Sequence, residues 1–129
     1  MQRAELEAYI LETYSAEADH PWIKYPNYEV FRHSGSRKWF ALIMDVPKKK
    51  LGLSEEGILT VVNVKCDPVM IGNLLTETGF FPASHMSKNS WLTIALDGSV
   101  REENIKILLD MSFNHTNTKM EKHKMLPDE

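Results

Sequence analysis

Polar and aromatic side chains gather in the stretch 85–91, directly before a run of strand-forming residues. Its lysine and amide could bind a phosphate or another anion, and its tryptophan could stack against a base or ring. The same polar groups could instead satisfy the backbone of a loop while the tryptophan fills the core. The stretch therefore predicts a candidate binding site made of His85, Lys88, Asn89 and Trp91.

Three consecutive lysines, Lys48, Lys49 and Lys50, form the second candidate. They follow an apolar run and precede Gly52, a pattern typical of an exposed hairpin loop or wing. On a wing they could pair with phosphates and release roughly three counterions, which gives weak, salt-sensitive binding. Solvated charges on a hairpin would look the same, so both interpretations stay open.

Lys65 is a third candidate contact, because the two-residue period of a strand puts it on the same face as Asn63. Cys66 precedes a predicted helix start, where a thiol pKa can fall, but no histidine lies at a recognisable spacing to act as its base. The sequence contains no zinc-type ligand spacing, no phosphate-binding loop and no dinucleotide-type glycine pattern. We therefore expect a non-enzymatic protein without a metal or cofactor.

Composition is that of one soluble globular domain: 129 residues, 43% hydrophobic and 26% charged. The net charge is −3, and six basic residues against one acidic residue fall within 31–50. Such local charge can form a patch, but not the broad basic footprint of a non-specific nucleic-acid binder. A single cysteine, a polar start and the lack of a long apolar run lead us to expect a bacterial cytoplasmic protein with no membrane segment.

The elements that position these residues begin with a helix, which helical spacing predicts over residues 6–14. Two apolar runs on either side of Ser34-Gly35-Ser36 predict a β-hairpin. Residues 48–57 then read as the wing, and residues 58–65 as a third strand rich in β-branched residues.

The second half of the chain starts with a helix at Asp67-Pro68, because aspartate caps free N–H groups and proline suits the first helical position. Gly79 is a candidate C-cap for this helix. A fourth strand is predicted over residues 90–96, and the capping box Ser99-x-x-Glu102 predicts the start of a last helix.

The last helix has its apolar face between Ile105 and Phe113, and the pattern fails after about His115. Residues 116–129 are polar and mixed in charge, which predicts a disordered tail. The predicted order is α-β-β-β-α-β-α. Because strands joined by short loops are antiparallel, we expect an α+β fold with helices on one face of the sheet.

Five short motifs occur in order between residues 1 and 115. They are Glu29-Val30-Phe31-Arg32-His33, Lys38-Trp39-Phe40-Ala41, Asn63-x-Lys65-Cys66-Asp67-Pro68, His85-Met86-x-Lys88-x-x-Trp91 and Leu96-Asp97-Gly98-Ser99. This ordered combination resembles the MmcQ/YjbR family of small bacterial proteins. The resemblance implies a CyaY-like α+β fold, an antiparallel sheet flanked by helices, as a single domain over residues 1–115.

The resemblance also implies DNA binding of the kind described as "double wing". Its motif positions carry over to Asn63, Lys65, Asp67, His85, Lys88 and Trp91. We expect Lys48, Lys49 and Lys50 on the wing, and Lys88 with Asn89 in the loop, to be the DNA contacts. The alternative is a binding module for a small anionic ligand or a protein partner that uses the surface of His85, Lys88 and Trp91.

Overall fold

The computed structural model describes residues 1–83 and 85–125, with side chains as far as residue 117. The helices and strands of this part of the chain are α1 (Arg3–Tyr14), β1 (Glu17–Asp19), β2 (Glu29–Arg32), β3 (Trp39–Pro47), β4 (Ile58–Lys65), α2 (Pro68–Leu74), β5 (Phe80–Pro82), β6 (Trp91–Ala95) and α3 (Glu102–Met125). The strands form one sheet in the order β1-β2-β3-β4-β6-β5, and every neighbouring pair is antiparallel. The predicted α+β fold with an antiparallel sheet is confirmed.

The sheet buries both of its faces, which explains why β3 reads as an almost unbroken apolar run. All three helices pack on one face, where Ile10, Ile71 and Leu109 meet inward residues of the strands. Loops cover the opposite face, which we call the loop-covered face. The partly buried side chains packed over it are Trp22, Tyr25, Trp39, Leu51, Leu53, Phe81 and Met86. The loops that bear the predicted site residues therefore cover this face of the sheet and pack against its core.

A β-bulge interrupts the pairing of β2 with β3. Phe31 pairs with Ala41, but the next residue, Arg32, pairs with Trp39, so Phe40 is the extra residue. Phe40 and Ala41 both pack on the helix-covered face. The bulge consequently turns Trp39 onto the loop-covered face, where its ring lies 5.5 Å from that of Trp22.

Two strands are absent from the predicted order, and both lie at the edges of the sheet. β1 and β5 have only three residues each, too few for an alternating pattern to stand out. The sequence pattern therefore gave residues 80–82 to a linker, although they pair with β6.

The last helix starts later and ends later than its sequence pattern predicts. The hydroxyl of Ser99 donates to Asp97 instead of capping the helix, so the predicted capping box is wrong and α3 begins at Glu102. Residues 116–125, which the sequence assigns to a tail, continue the helix, while residues 126–129 lie outside the described part. A polar residue continues the buried stripe here, because Thr116 is 7% exposed and its Oγ1 lies 2.7 Å from His33 Nε2.

Gly79 does not cap α2, which ends at Leu74. Its φ is +95°, a left-handed conformation that favours glycine. A Cβ at this position would lie 2.5 Å from Val100 Cγ2, so close packing against the segment before α3 also requires glycine.

Asp67 caps α2 as the sequence predicts, since its carboxylate accepts the backbone N–H groups of Val69 and Met70 at 3.1 and 3.4 Å. We expect Asp67→Ala to lower the free energy of unfolding by about 1 kcal/mol, because these donors lose their acceptor. Urea unfolding followed by circular dichroism measures the change. Asp67→Asn, which keeps the capping oxygen, should stay close to wild type, and equal losses for both variants would contradict the capping role.

Candidate functional site

A surface pocket of about 750 Å³ opens above the loop-covered face of the sheet. Its lining residues are Lys50, Leu51, Pro82, Ala83, His85, Met86, Ser87 and Lys88. One wall is the 3-10 turn Lys48–Leu51 that follows β3, and the other is the loop between β5 and β6. The pocket thus brings together three predicted site residues, Lys50, His85 and Lys88, although Lys50 is distant from the other two in sequence.

His85 is held in place by two tyrosines. Its Nε2 lies 3.2 Å from the hydroxyl of Tyr28, and its ring centroid lies 5.4 Å from that of Tyr28 and 5.8 Å from that of Tyr25. Burial raises the pKa of Tyr28, so its hydroxyl keeps its proton and remains a hydrogen-bond partner for the imidazole. These contacts offset the left-handed φ of +66° at His85, a conformation that costs a non-glycine residue about 1 kcal/mol.

The three wing lysines do not act as a group. Lys48 Nζ lies 3.7 Å from Glu55, and Lys49 Nζ lies 2.7 Å from Glu56. Lys50 lines the pocket and has no ion pair within the described part of the chain. The wing therefore presents Lys50 to the pocket while its other two lysines are partly neutralised by glutamates of the same hairpin.

Trp91 does not provide an open stacking surface, because it is only 8% exposed. The part of the prediction that used its ring as a platform is wrong for this conformation. The Lys65 ammonium lies 5.9 Å from the centroid of this ring, on the neighbouring strand. Neither residue lines the pocket, and the exposed Asn89 does not line it either.

The surroundings of Asn63 and Cys66 indicate structural roles for both residues. Asn63 is fully buried and its Oδ1 accepts a hydrogen bond from the Thr93 hydroxyl at 2.5 Å, across neighbouring strands. Burial, followed by the nearby Asp67 carboxylate, raises the pKa of the Cys66 thiol, the reverse of what a nucleophile before a helix needs. Within residues 1–83 and 85–117, no three His, Cys, Asp or Glu side chains lie together as a metal site would require.

The apolar part of the pocket was missed by sequence reasoning. Leu51 lies beside the lysines, Met86 lies within the polar stretch, and Pro82 ends an edge strand that reads as a linker. The only local signal was the apolar run of residues 80–83 before the polar stretch. The convergence of the two walls has no local signal, because it depends on how the wing folds back over the sheet.

Comparisons with known proteins agree with this fold. The YjbR family model matches residues 11–115. The chain is 36% identical over 116 residues to the uncharacterized protein YyaQ of Bacillus subtilis, a match that covers 90% of this chain and 98% of YyaQ. Within the described residues, no helix is long and apolar enough to cross a membrane.

Solved structures show the same fold. A crystal structure of a Pseudomonas syringae protein superposes with a TM-score of 0.84 at 38% identity, covering 87% of this chain and 96% of that one. A solution structure of a Pseudomonas syringae protein gives a TM-score of 0.80 at 39% identity, with coverage of 90% and 93%. The Deinococcus radiodurans protein DR2400 is similar in fold alone, with a TM-score of 0.65 at 21% identity over 85% of this chain and 74% of that one. The family resemblance that the sequence motifs indicated is thereby confirmed, and the chain belongs to the YjbR family.

Proposed function

We propose that this protein is a non-enzymatic binding module for a small anionic ligand, held in the pocket between Lys50 and Lys88. The observation that carries the proposal is the placement of these two ammonium-bearing side chains on opposite walls of one concavity. Its volume of about 750 Å³ lies within the range of small-molecule sites, which is roughly 300–1,000 Å³.

The electrostatics of the pocket favour an anion of the phosphate or carboxylate class. Lys50 and Lys88 make no ion pair among the described residues, whereas Lys48 and Lys49 do. An anion between the two walls would accept charge-assisted hydrogen bonds from both, which are stronger than neutral ones. The His85 imidazole lines the same pocket, and Tyr28 fixes its position.

Inorganic phosphate and pyrophosphate, titrated by calorimetry at low ionic strength, test this proposal. We expect binding by the wild type and a loss of about tenfold for Lys50→Gln or Lys88→Gln, because each removes a charged hydrogen bond worth roughly 1.5 kcal/mol or more. Lys49→Gln is the matched control, since Lys49 stands on the same turn but pairs with Glu56. Equal losses for Lys49→Gln and Lys50→Gln, or no binding by the wild type, would contradict the proposal.

DNA is the second candidate, and its support is the confined basic segment of residues 31–50 together with Lys88. Lys50 and Lys88 lie on two loops above the same face, from which both could contact a phosphate backbone. The ion pairs of Lys48 and Lys49 and the net charge of −3 weigh against a strong interaction. A two-lysine contact gives a slope of about −1.8 in log K against log salt.

Fluorescence anisotropy of a labelled duplex at about 50 and 150 mM salt separates the two candidates. DNA binding requires a measurable affinity at the lower salt that Lys50→Glu abolishes. Phosphate binding without duplex binding leaves the small-ligand proposal standing and ends the DNA candidate.

A further inference from the structure

Each wall of the pocket pairs one cationic residue with one apolar residue. On the wing, Lys50 is followed directly by Leu51, and in the opposite loop Met86 precedes Lys88 by two positions. Pro82 and the buried Ala83 complete the lining between them. A site for a bare anion would not need apolar residues on both walls, because an inorganic anion gains nothing from them.

The size of the pocket also favours a ligand larger than a bare anion. A phosphate ion occupies roughly the volume of two or three waters, at about 30 Å³ each, and so fills only about a tenth of the 750 Å³. A ligand that filled more of the space would bury apolar surface against Leu51 and Met86, and would gain affinity from doing so. Both side chains are partly buried and packed against the core of the loop-covered face, so their inner ends are anchored.

From this pairing we infer that the ligand is a phosphorylated small molecule with an apolar or planar body, of the nucleoside monophosphate class. The inference rests on the proposed function and adds the class of ligand. The phosphate lies between Lys50 and Lys88, and the body lies between Leu51 and Met86. Methionine suits such a contact, since its flexible, polarisable side chain adapts to flat surfaces.

The walls are organised before a ligand arrives. The hydrogen bond between His85 and Tyr28 and the left-handed backbone at His85 fix the loop that carries Met86 and Lys88. On the wing, Gly52 adopts a φ of +83°, and its N–H donates to the Lys49 carbonyl at 3.1 Å, which closes the turn that carries Lys50. A preorganised site loses less conformational entropy on binding.

Calorimetric titrations with adenosine 5′-monophosphate, inorganic phosphate and adenosine test the inference on the full chain. We expect the monophosphate to bind at least about tenfold more tightly than inorganic phosphate, a ratio that corresponds to burying roughly two methylene equivalents. Met86→Gln should reduce this ratio, because it lowers the affinity for the monophosphate more than the affinity for inorganic phosphate. Lys88→Gln should weaken both ligands together.

Met70→Gln is the matched control, because Met70 is a partly buried methionine that packs on the helix-covered face, away from the pocket. If Met86→Gln does not fold, Leu51→Gln provides the same readout from the other wall. Equal affinities of the wild type for monophosphate and phosphate overturn the inference but leave the proposed function intact. An unchanged ratio of the two affinities in Met86→Gln, or in Leu51→Gln, also overturns the inference. If the wild type binds no inorganic phosphate at all, the proposed function itself is wrong.

Discussion

Replacing Ser112 with alanine is expected to lower the free energy of unfolding by about 2–4 kcal/mol, although the side chain loses only one oxygen. Ser112 lies on α3 and is fully buried against the sheet. Its hydroxyl donates to the carbonyl of Phe40 at 2.6 Å and accepts the backbone N–H of Lys65 at 2.9 Å. One oxygen therefore satisfies two backbone groups that belong to two different strands.

The end of the ladder between β3 and β4 explains why a serine is needed. The pairing of β3 with β4 ends at Ala41 and Val64, so the next pair would join Phe40 to Lys65. That pair does not form, and the Ser112 hydroxyl lies between the Phe40 carbonyl and the Lys65 N–H instead. Alanine would leave both groups without this partner, and each unsatisfied buried group costs about 1–3 kcal/mol.

Urea unfolding followed by tryptophan fluorescence measures the Ser112→Ala effect. Asn114→Ala, at an exposed position on the same helix, is the control and should stay within about 0.5 kcal/mol of wild type. Alanine has the higher helix propensity, which acts against the expected loss and makes it a stringent test. A Ser112→Ala variant as stable as the control would show that the bridging hydroxyl contributes nothing.

Local signals in the sequence were sufficient for the central strands and for the start of α2. The hairpin of β2 and β3 has a turn of three residues, and the cap at Asp67 lies next to the helix that it stabilises. Spacing alone predicted the inward face of the last helix between Ile105 and Phe113, the stretch that contains Ser112. Its bridging role could not be predicted, because it depends on a backbone carbonyl 72 residues earlier in the chain.

Only part of the site could be predicted from the sequence, because its residues come from separate segments of the chain. His85 and Lys88 come from one short stretch, and the sequence pattern found them together. Lys50 was predicted on a wing with two equivalent neighbours, but their glutamate partners made them inequivalent. Trp91 was predicted to be an open surface but is buried. A large aromatic at the entrance to a strand gives no sequence signal of whether tertiary packing covers it.

The second large effect expected concerns Glu29, a residue of β2 that is 8% exposed and whose carboxyl faces α1. The Arg3 guanidinium lies 3.8 Å from Glu29 Oε1 and forms a closer pair with Glu7, at 3.0 Å. Glu29 Oε1 is buried and has no hydrogen-bond partner among the described residues. Burial first, and then the Glu7 carboxyl, raise the pKa of Glu29 to about 7.

The direction of the shift decides how stability depends on pH. Because the folded pKa of Glu29 exceeds its ordinary value of 4.5, its contribution to stability is fully present below about pH 4.5 and is lost as the pH rises through 7. The pKa of Glu7 is lowered, chiefly by its hydrogen bond with Glu29, so the Glu7 contribution is lost only on acidification below 4.5. Burial lowers the pKa of His33, whose contribution is lost as the pH falls through and below 6.5.

Since His33 and Glu29 act in opposite directions over the same pH range, the comparison must be made with a variant that removes only one of them. Glu29→Gln imitates the protonated side chain and does not titrate. We expect this variant to be close to wild type at pH 5 and more stable by on the order of 2 kcal/mol at pH 8. Urea unfolding of both proteins between pH 5 and pH 8 gives the difference, from which the contribution of His33 cancels.

Glu12→Gln, at an exposed position on α1, controls for the loss of one negative charge and should stay within about 0.5 kcal/mol of wild type. A difference between wild type and Glu29→Gln that is flat, or that favours wild type as the pH rises, would exclude a protonated Glu29 in the folded protein. The expected curve instead means that the contact between α1 and the sheet weakens as Glu29 ionises. The Arg3 guanidinium then faces the carboxylates of Glu7, Glu29 and Asp45, and the exposed His20 imidazole is a further basic group, 3.8 Å from Glu29 Oε2.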